Sequence, residues 1–260
     1  MPDKNAVQIL PVLALKNSIL FPGLLMPLSV GRPASLAAVE AALASEEKEI
    51  LVLAQRDPST ESPGPDDLYT IGTKAVIRKT SRPSEDLVEL LVLGAERVVV
   101  MKLDASEPFL RGRFQPLPLP QDSGPEVEAL ERALIDLAVK ALQLAQPQQS
   151  VQELTRVLPI NGDPMRLAFL LASMFSLDPA KEQKLLESET RADALRLMHA
   201  NLAHEVQVLE IRNKISSDAR TEMNKEQKDY MLRQQLRAIQ QELGEKNSDQ
   251  AETDVLRERV

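Results

Sequence analysis

The 260-residue chain contains no cysteine and no tryptophan, and aromatic residues make up only 3% of it. The absence of cysteine excludes a disulfide framework and a cysteine-ligated zinc site. With so few rings, we expect a core of aliphatic and methionine side chains, drawn from the 43% of residues that are hydrophobic. No run approaches the roughly 18 uncharged apolar residues of a membrane span. Residues 1–5 lack the basic and apolar segments of a signal peptide, so we expect a cytoplasmic protein.

The chain also lacks the short motifs of common catalytic chemistry. It contains no G-x-x-x-x-G-K-[ST], G-x-G-x-x-G, H-E-x-x-H or G-x-S-x-G sequence, and no serine–lysine pair stands out. His199 and His204 do not have the spacing of three or four residues that places two metal ligands on one helical face. The net charge of −8 argues against nucleic acid as a partner. We therefore expect no catalytic residue, no metal site and no cofactor in this chain.

Residues 1–119 have the pattern of a β-rich domain with one helix. Pro33 fits the first turn of a helix that continues to about Lys48. Strands this short and this closely spaced suggest a curled, barrel-like sheet. Apolar segments predict the strands at residues 7–15, 24–30, 50–54, 70–79, 87–93, 97–103 and 109–117.

Residues 120–189 have the pattern of a helical bundle. Alternating prolines at residues 116–120 are typical of a stiff linker and set the predicted domain boundary. Ser123 is a candidate cap for the first helix, residues 150–153 match a capping box, and residues 165–175 are apolar enough for a buried helix. Two acid–proline pairs predict further helix starts, Asp163–Pro164 and Asp178–Pro179.

Residues 190–260 are predicted to form one very long helix and a linker to a further domain. All 18 prolines lie at or before Pro179, and a single glycine follows Gly162, so residues 190–243 have nothing to interrupt a helix. Leucines that recur every seven residues, as in a coiled coil, give a first apolar stripe that can pack on the bundle: Leu195, Leu202 and Leu209. After the polar residues 216–229, a second stripe indicates an oligomer or interdomain contact: Leu232, Leu236, Ile239 and Leu243.

Residues 19–27 (ILFPGLLMP) are unusually apolar for a turn. One interpretation is that these side chains fold back into the core of the β-rich domain. The other is an exposed apolar patch that holds unfolded polypeptide, to which leucine and methionine adapt well. On the second interpretation the candidate substrate-binding residues are Leu20, Phe21, Pro22, Leu24, Leu25 and Met26.

Several short segments together match one known family. They are residues 10–17 (LPVLALKN), 21–23, 27–28, 30–32, 67–73 and 225–244, with Gly94 and Arg97. In this order along the chain they resemble Lon proteases. Ala14 stands where that family often has proline, and residues 225–244 resemble the segment that precedes its ATPase module.

This resemblance implies an α+β chain in which a PUA-like β-barrel precedes the helical bundle and the long helix. The whole protein is then expected to be a homohexameric AAA+ serine protease with a Ser-Lys dyad that degrades misfolded and regulatory proteins. ATP and magnesium would be bound by a domain outside these residues. By family analogy this part recognises unfolded or damaged substrates and contacts neither nucleic acid nor membrane. Two alternatives are a structural or oligomerisation spacer and a free-standing adaptor domain.

Overall fold

A six-stranded sheet, several helices and a long C-terminal helix make up the fold, so the predicted α+β class is confirmed. The computed structural model describes residues 7–106, 108–146, 162–175 and 177–257, with the backbone alone at residue 106 and residues 241–257. Its strands are β1 (Gln8–Leu15), β2 (Leu25–Val30), β3 (Glu49–Ala54), β4 (Ile71–Ser84), β5 (Leu87–Ser106) and β6 (Phe109–Pro116). Its helices are α1 (Pro33–Leu43), α2 (Pro125–Ala145), α3 (Pro164–Met174), α4 (Pro179–Glu187) and α5 (Arg191–Arg257).

Contacts divide the chain into two units, Met1–Val206 and Gln207–Val260. The domain bounds expected from the sequence, at residues 119 and 189, stay predictions. Within the described part of the chain, no helix is both long enough and apolar enough to cross a membrane.

The sheet closes into a small barrel because β6 pairs with two strands, β1 and β5. The closed ring is β1-β3-β4-β5-β6, with β1 and β3 parallel and the other pairs antiparallel. Strand β2 lies outside the ring and pairs with the first part of β5, from Leu25 opposite Leu93 to Val30 opposite Val88. Since β5 has 20 residues, it is long enough to pair with β2, β4 and β6.

The strands predicted at residues 87–93 and 97–103 are a single strand, β5. The prediction was wrong because Gly94 and Ala95 look like a break in the apolar pattern. In the structure Ala75 pairs with Gly94 and Lys74 pairs with Glu96, so Ala95 is the extra residue of a β-bulge. A bulge bends the strand without ending its pairing.

Helix α1 ends at Leu43, earlier than the predicted Lys48. The hydroxyl of Ser45 donates to the carbonyl of Ala42 at 2.8 Å and accepts the N–H of Lys48 at 3.1 Å. Lys48 itself has a positive φ of 52°. This local hydrogen bonding replaces the next helical turn and directs the chain into β3.

The predicted caps of the later helices are confirmed in part. The carboxylate of Asp163 accepts the N–H of Met165, and that of Asp178 accepts the N–H of Ala180, as the acid–proline pairs predict. The predicted cap at Ser123 is wrong, because Gly124 holds that position without a side-chain bond. The predicted capping box at residues 150–153 lies outside the described residues.

Among the residues that the structure describes, three apolar clusters form the core. Two lie in the β-rich part, and the larger of these includes Leu13, Leu20, Val39, Ile50 and Val92. The third joins α2, α3, α4 and the start of α5, where Leu195 and Leu202 of the first stripe are buried beside Met198 and Val206, whereas Leu209 is partly exposed. Ile19 and Phe21 also belong to this helical cluster. The turn between β1 and β2 is therefore part of the packing between sheet and helices.

Candidate functional site

The turn formed by residues 19–27, here called the apolar turn, has a backbone fixed to strand β5. The N–H of Gly23 donates to the carbonyl of Gly94 at 2.8 Å, and the N–H of Gly94 donates to the carbonyl of Leu24 at 2.9 Å. Gly23 has a φ of +80°, a conformation that glycine adopts without strain. The turn is thus held in one backbone conformation by main-chain bonds on both sides.

The first half of the apolar turn lies directly against the barrel. The buried hydroxyl of Thr73 donates to the carbonyl of Leu20 at 2.5 Å. The carbonyl of Phe21 lies so close to Gly94 that an added Cβ atom would be 2.2 Å from its oxygen, which is too short for any side chain. Glycine at position 94 therefore permits the close approach of the turn to β5.

The structure separates the six candidate side chains of the apolar turn into two groups. Leu20 is 2% exposed and lies in the β-rich core, as the first interpretation expects, whereas Phe21 is 1% exposed but lies in the helical cluster. Pro22 is also buried. Leu24 and Met26 are partly buried, whereas Leu25 is 57% exposed. The surface that this turn offers to a polypeptide is therefore centred on Leu25. Binding of a polypeptide by any of the six stays a prediction.

The buried half of the apolar turn packs on the helices. The ring of Phe21 stacks on the ring of Phe169 in α3, with centroids 4.6 Å apart and planes at 16°. Both rings are fully enclosed by the helical cluster. Stacked aromatic pairs contribute about 0.5–1.5 kcal/mol beyond the area they bury. The high apolar content of the turn is thus explained largely by an interface within the chain.

Arg97 joins the sheet, the proline-rich linker and helix α4 through four backbone carbonyls. Its Nε donates to Leu117 at 3.2 Å and its Nη2 donates to Pro118 at 2.6 Å. Its Nη1 donates to Leu186 and Ser188, each at 2.9 Å. The side chain is only 5% exposed, and this burial lowers the pKa of the guanidinium. The predicted linker is therefore fixed to β5 by the same side chain that bonds the end of α4.

A buried carboxylate lies beside the start of the apolar turn. Glu182 of α4 is 8% exposed, and its Oε2 accepts the N–H of Ile19 at 3.2 Å. Burial raises the pKa of Glu182 to about 7, an effect that the bond from Ile19 opposes and the nearby charge of Asp178 supports. The neighbouring Gln183 donates to the carbonyl of Ile71 at 2.9 Å, which adds to the bond of Arg97 with Leu186 a further bond between α4 and the barrel.

Next to Pro22, a cavity of about 560 Å³ lies between the sheet, the linker and the helices. Its walls combine proline and leucine side chains with charged groups that already have partners. Arg191 bonds the carboxylate of Asp163 at 3.2 Å and the carbonyl of Asp122 at 3.2 Å. Among the residues described, no group of three or more His, Cys, Asp or Glu side chains is placed to hold a metal ion.

The second predicted stripe is exposed in the unit Gln207–Val260. Leu232, Leu236 and Ile239 are 52%, 58% and 56% exposed, and Tyr230 and Met231 beside them are also exposed. The side chain of Leu243 lies outside the described residues. The oligomer or interdomain contact assigned to this stripe stays a prediction.

Sequence reasoning did not find the interface residues Glu182 and Gln183, nor the bonds of Arg97. The spacing of apolar residues predicts which face of a helix is buried, but not that a charged side chain is enclosed there. Gly94 and Arg97 were noted only as part of a family resemblance. The signal available for Gly94 and Arg97 was a glycine and an arginine close together in the mostly apolar residues 87–100.

Comparison with known proteins finds similarity along most of the chain. A family model described as the ATP-dependent protease La (LON) substrate-binding domain matches residues 9–204. The Lon protease of Nitrosococcus oceani is 50% identical over 96% of this chain and 32% of its own length. The Lon protease of Desulfovibrio desulfuricans is 38% identical over 92% of this chain and 27% of its length. The chain thus spans about a third of the length of the curated relatives it matches.

Solved structures show the same fold at low sequence identity. The N-terminal domain of a Mycobacterium avium complex Lon protease aligns with a TM-score of 0.62 and 22% identity, over 75% of this chain and 98% of that one. A Lon N-terminal domain protein from Xanthomonas campestris aligns with a TM-score of 0.51 and 17% identity, over 74% of this chain and 98% of that one.

Proposed function

Because the chain belongs to the Lon protease family, matching its substrate-binding domain over residues 9–204, we propose that it recognises substrates by holding unfolded polypeptide on exposed apolar surface. The observation that carries this proposal is the exposure of Leu25, at 57%, on a turn whose backbone is fixed at Gly23 and Gly94. A large apolar side chain presented from a rigid turn loses little conformational entropy on binding. Leu24 packs against the helical cluster and Met26 against the larger β-rich cluster, so they add only their partly exposed edges to the surface at Leu25.

The proposed role concerns one part of a longer protease. We propose that proteolysis, ATP hydrolysis with magnesium and hexamer assembly belong to segments of the full protein beyond these residues, and that this segment uses no cofactor. Its proposed partners are misfolded, damaged or regulatory proteins in the cytoplasm, with neither nucleic acid nor membrane among them. The net charge of −8 and the absence of nucleotide-binding motifs support this division.

A matched pair of variants tests the proposal. Leu25→Ser removes an exposed apolar side chain from the apolar turn, and Met101→Ser removes one that is 62% exposed on β5. The probe is reduced, carboxymethylated lysozyme, with native lysozyme as the folded control, and binding is followed by amide shifts in NMR titrations. We expect Leu25→Ser to weaken binding about three- to tenfold, because a leucine contact contributes roughly 1 kcal/mol, and Met101→Ser to have no effect.

Two results would contradict the proposal. One is the absence of any shift with the unfolded probe. The other is equal binding of native and unfolded lysozyme, since recognition of unfolded chains requires a difference between them. Thermal unfolding of both variants is the control for stability. Because each substitution is made at an exposed position, we expect the melting temperature to change little.

A second candidate role is structural, and the exposed stripe at Leu232, Leu236 and Ile239 favours it. Its spacing of four and three residues matches the apolar seam of a coiled coil. A stripe this short is below the three to four heptads that a stable coiled coil needs. We propose that it packs on another part of the hexamer and that the isolated chain is monomeric. Light scattering tests this, and a stable oligomer that Leu236→Glu dissociates would show that the stripe assembles unaided.

A further inference from the structure

Strand β2 has one edge that no other strand covers within the described part of the chain. The carbonyl of Leu24 accepts from Gly94, so it points towards β5. Backbone groups of successive residues in a strand point in alternate directions. The N–H and C=O groups of Leu25 and Ser29, and the C=O group of Pro27, therefore point to the free edge. Proline at position 27 fits this direction, because its missing N–H takes no bond away from β5.

Grooves flank β2 on both faces of the sheet. On the exposed face, Pro27 lies opposite Leu91 and Ser29 lies opposite Glu89. These residues line a groove of about 620 Å³ together with residues 79–81 of β4. On the core side, a second groove of about 310 Å³ runs between residues 13–18 and residues 28–32.

We propose that an extended segment of unfolded polypeptide pairs with the free edge of β2, adding a strand to the sheet; this rests on the proposed function and specifies how the substrate is held. Alternate side chains of a strand point to opposite faces. A strand added at this edge therefore places one set of side chains at the exposed groove and the other set at the core-side groove. The bonds are made to the substrate backbone, so the mode accepts many sequences.

The composition of the edge favours a foreign chain over a second copy of β2. Two copies of β2 paired through their outward groups would lose two bonds, one at each Pro27. A substrate segment supplies a donor to the carbonyl of Pro27 and loses only the bond that Pro27 cannot donate. The exposed groove carries both Lys79 and Glu89, so it is compatible with substrate side chains of either charge.

Hydrogen exchange of the 260-residue chain tests the proposed pairing directly. The probe is reduced, carboxymethylated lysozyme at saturating concentration, followed amide by amide in NMR. We expect exchange at Ser29 to slow at least about tenfold on binding, because its N–H gains an acceptor. The amide of Leu28, which points to β5, is the internal reference and is expected to be protected with and without the probe.

Substitution of Ser29 provides an independent test. Ser29→Pro removes the outward donor, whereas Ser29→Ala keeps it and changes only the side chain. Proline is tolerated at an edge where the lost N–H had no partner. We expect Ser29→Pro to weaken binding of the probe about five- to tenfold and Ser29→Ala to leave it within twofold.

The outcomes separate this inference from the function on which it rests. Binding that Leu25→Ser weakens, with no protection at Ser29 and no effect of Ser29→Pro, overturns strand addition and leaves apolar recognition standing. Complete absence of probe binding overturns both. If Ser29→Pro does not fold, the exchange measurement on the unsubstituted chain decides alone.

Discussion

The rings of Phe21 and Phe169 stack 4.6 Å apart, centroid to centroid, and connect the apolar turn to helix α3. Phe21 lies in the turn before β2, and Phe169 lies in α3; both belong to the helical cluster. The stacking explains why this turn contains an aromatic residue although the chain has few. It also means that the buried half of the apolar turn stabilises the packing of sheet on helices.

We expect Phe21→Ala and Phe169→Ala each to lower the free energy of unfolding by about 3–5 kcal/mol, because each leaves a cavity in a fully buried site. The double variant is expected to lose less than the sum, with a coupling of about 0.5–1.5 kcal/mol from the stacked pair. Urea unfolding followed by circular dichroism measures this, since the chain has no tryptophan. Additive losses would show that the two rings pack independently.

We expect Gly94→Ala to destabilise the chain by at least about 2 kcal/mol, because the new Cβ would lie 2.2 Å from the carbonyl oxygen of Phe21. The matched control is Gly64→Ala, where the nearest atom to a Cβ is 3.6 Å away. We expect that control to be neutral or slightly stabilising, since alanine reduces the freedom of the unfolded chain. Thermal unfolding of the two variants makes the comparison, and equal melting temperatures would contradict it.

Arg97 donates to four backbone carbonyls, so we expect that lysine cannot replace it without loss of stability. A lysine ammonium has three donors at one point and cannot reach carbonyls of both the linker and α4 in the guanidinium geometry. We expect Arg97→Lys to lower the free energy of unfolding by about 2–4 kcal/mol through unsatisfied buried groups. Arg113→Lys, at a half-exposed position on β6, is the control and is expected to change it by less than about 0.5 kcal/mol. Urea unfolding distinguishes the two, and similar losses would contradict a special role for Arg97.

The sequence predicts the fold class and most elements because those depend on local patterns. The acid–proline pairs at Asp163 and Asp178 predict helix starts, since a cap and a fixed φ act within four residues. The continuous strand β5 was missed because its bulge at Ala95 is stabilised by pairing with β4, which is remote in sequence. For the same reason the burial of Leu20 and Phe21 could be considered but not settled. The burial of Phe21 depends on α3, which follows it by more than 140 residues along the chain, and that of Leu20 depends on strands as remote as β5.

The carboxylate of Glu182 predicts a dependence of stability on pH. Burial raises its pKa in the folded chain to about 7, against an ordinary value of 4.5. Between these values the folded chain holds a proton that the unfolded chain has lost. The contribution of Glu182 to stability is therefore complete below about pH 4.5 and is lost as the pH rises through about 7.

We expect Glu182→Gln to remove this dependence, because the amide oxygen can still accept the N–H of Ile19 without a buried charge. The variant is expected to be more stable than the unsubstituted chain at pH 8, by about 1–3 kcal/mol, and to lose that advantage near pH 4.5. Urea unfolding at several pH values measures the difference, with Glu46→Gln as the exposed control. The free energies of unfolding of Glu182→Gln and the unsubstituted chain could instead differ by the same amount from pH 4.5 to pH 8. That result would show that Glu182 keeps its charge in the folded chain. The N–H of Ile19 would then donate to a carboxylate throughout, and the start of the apolar turn would be insensitive to pH.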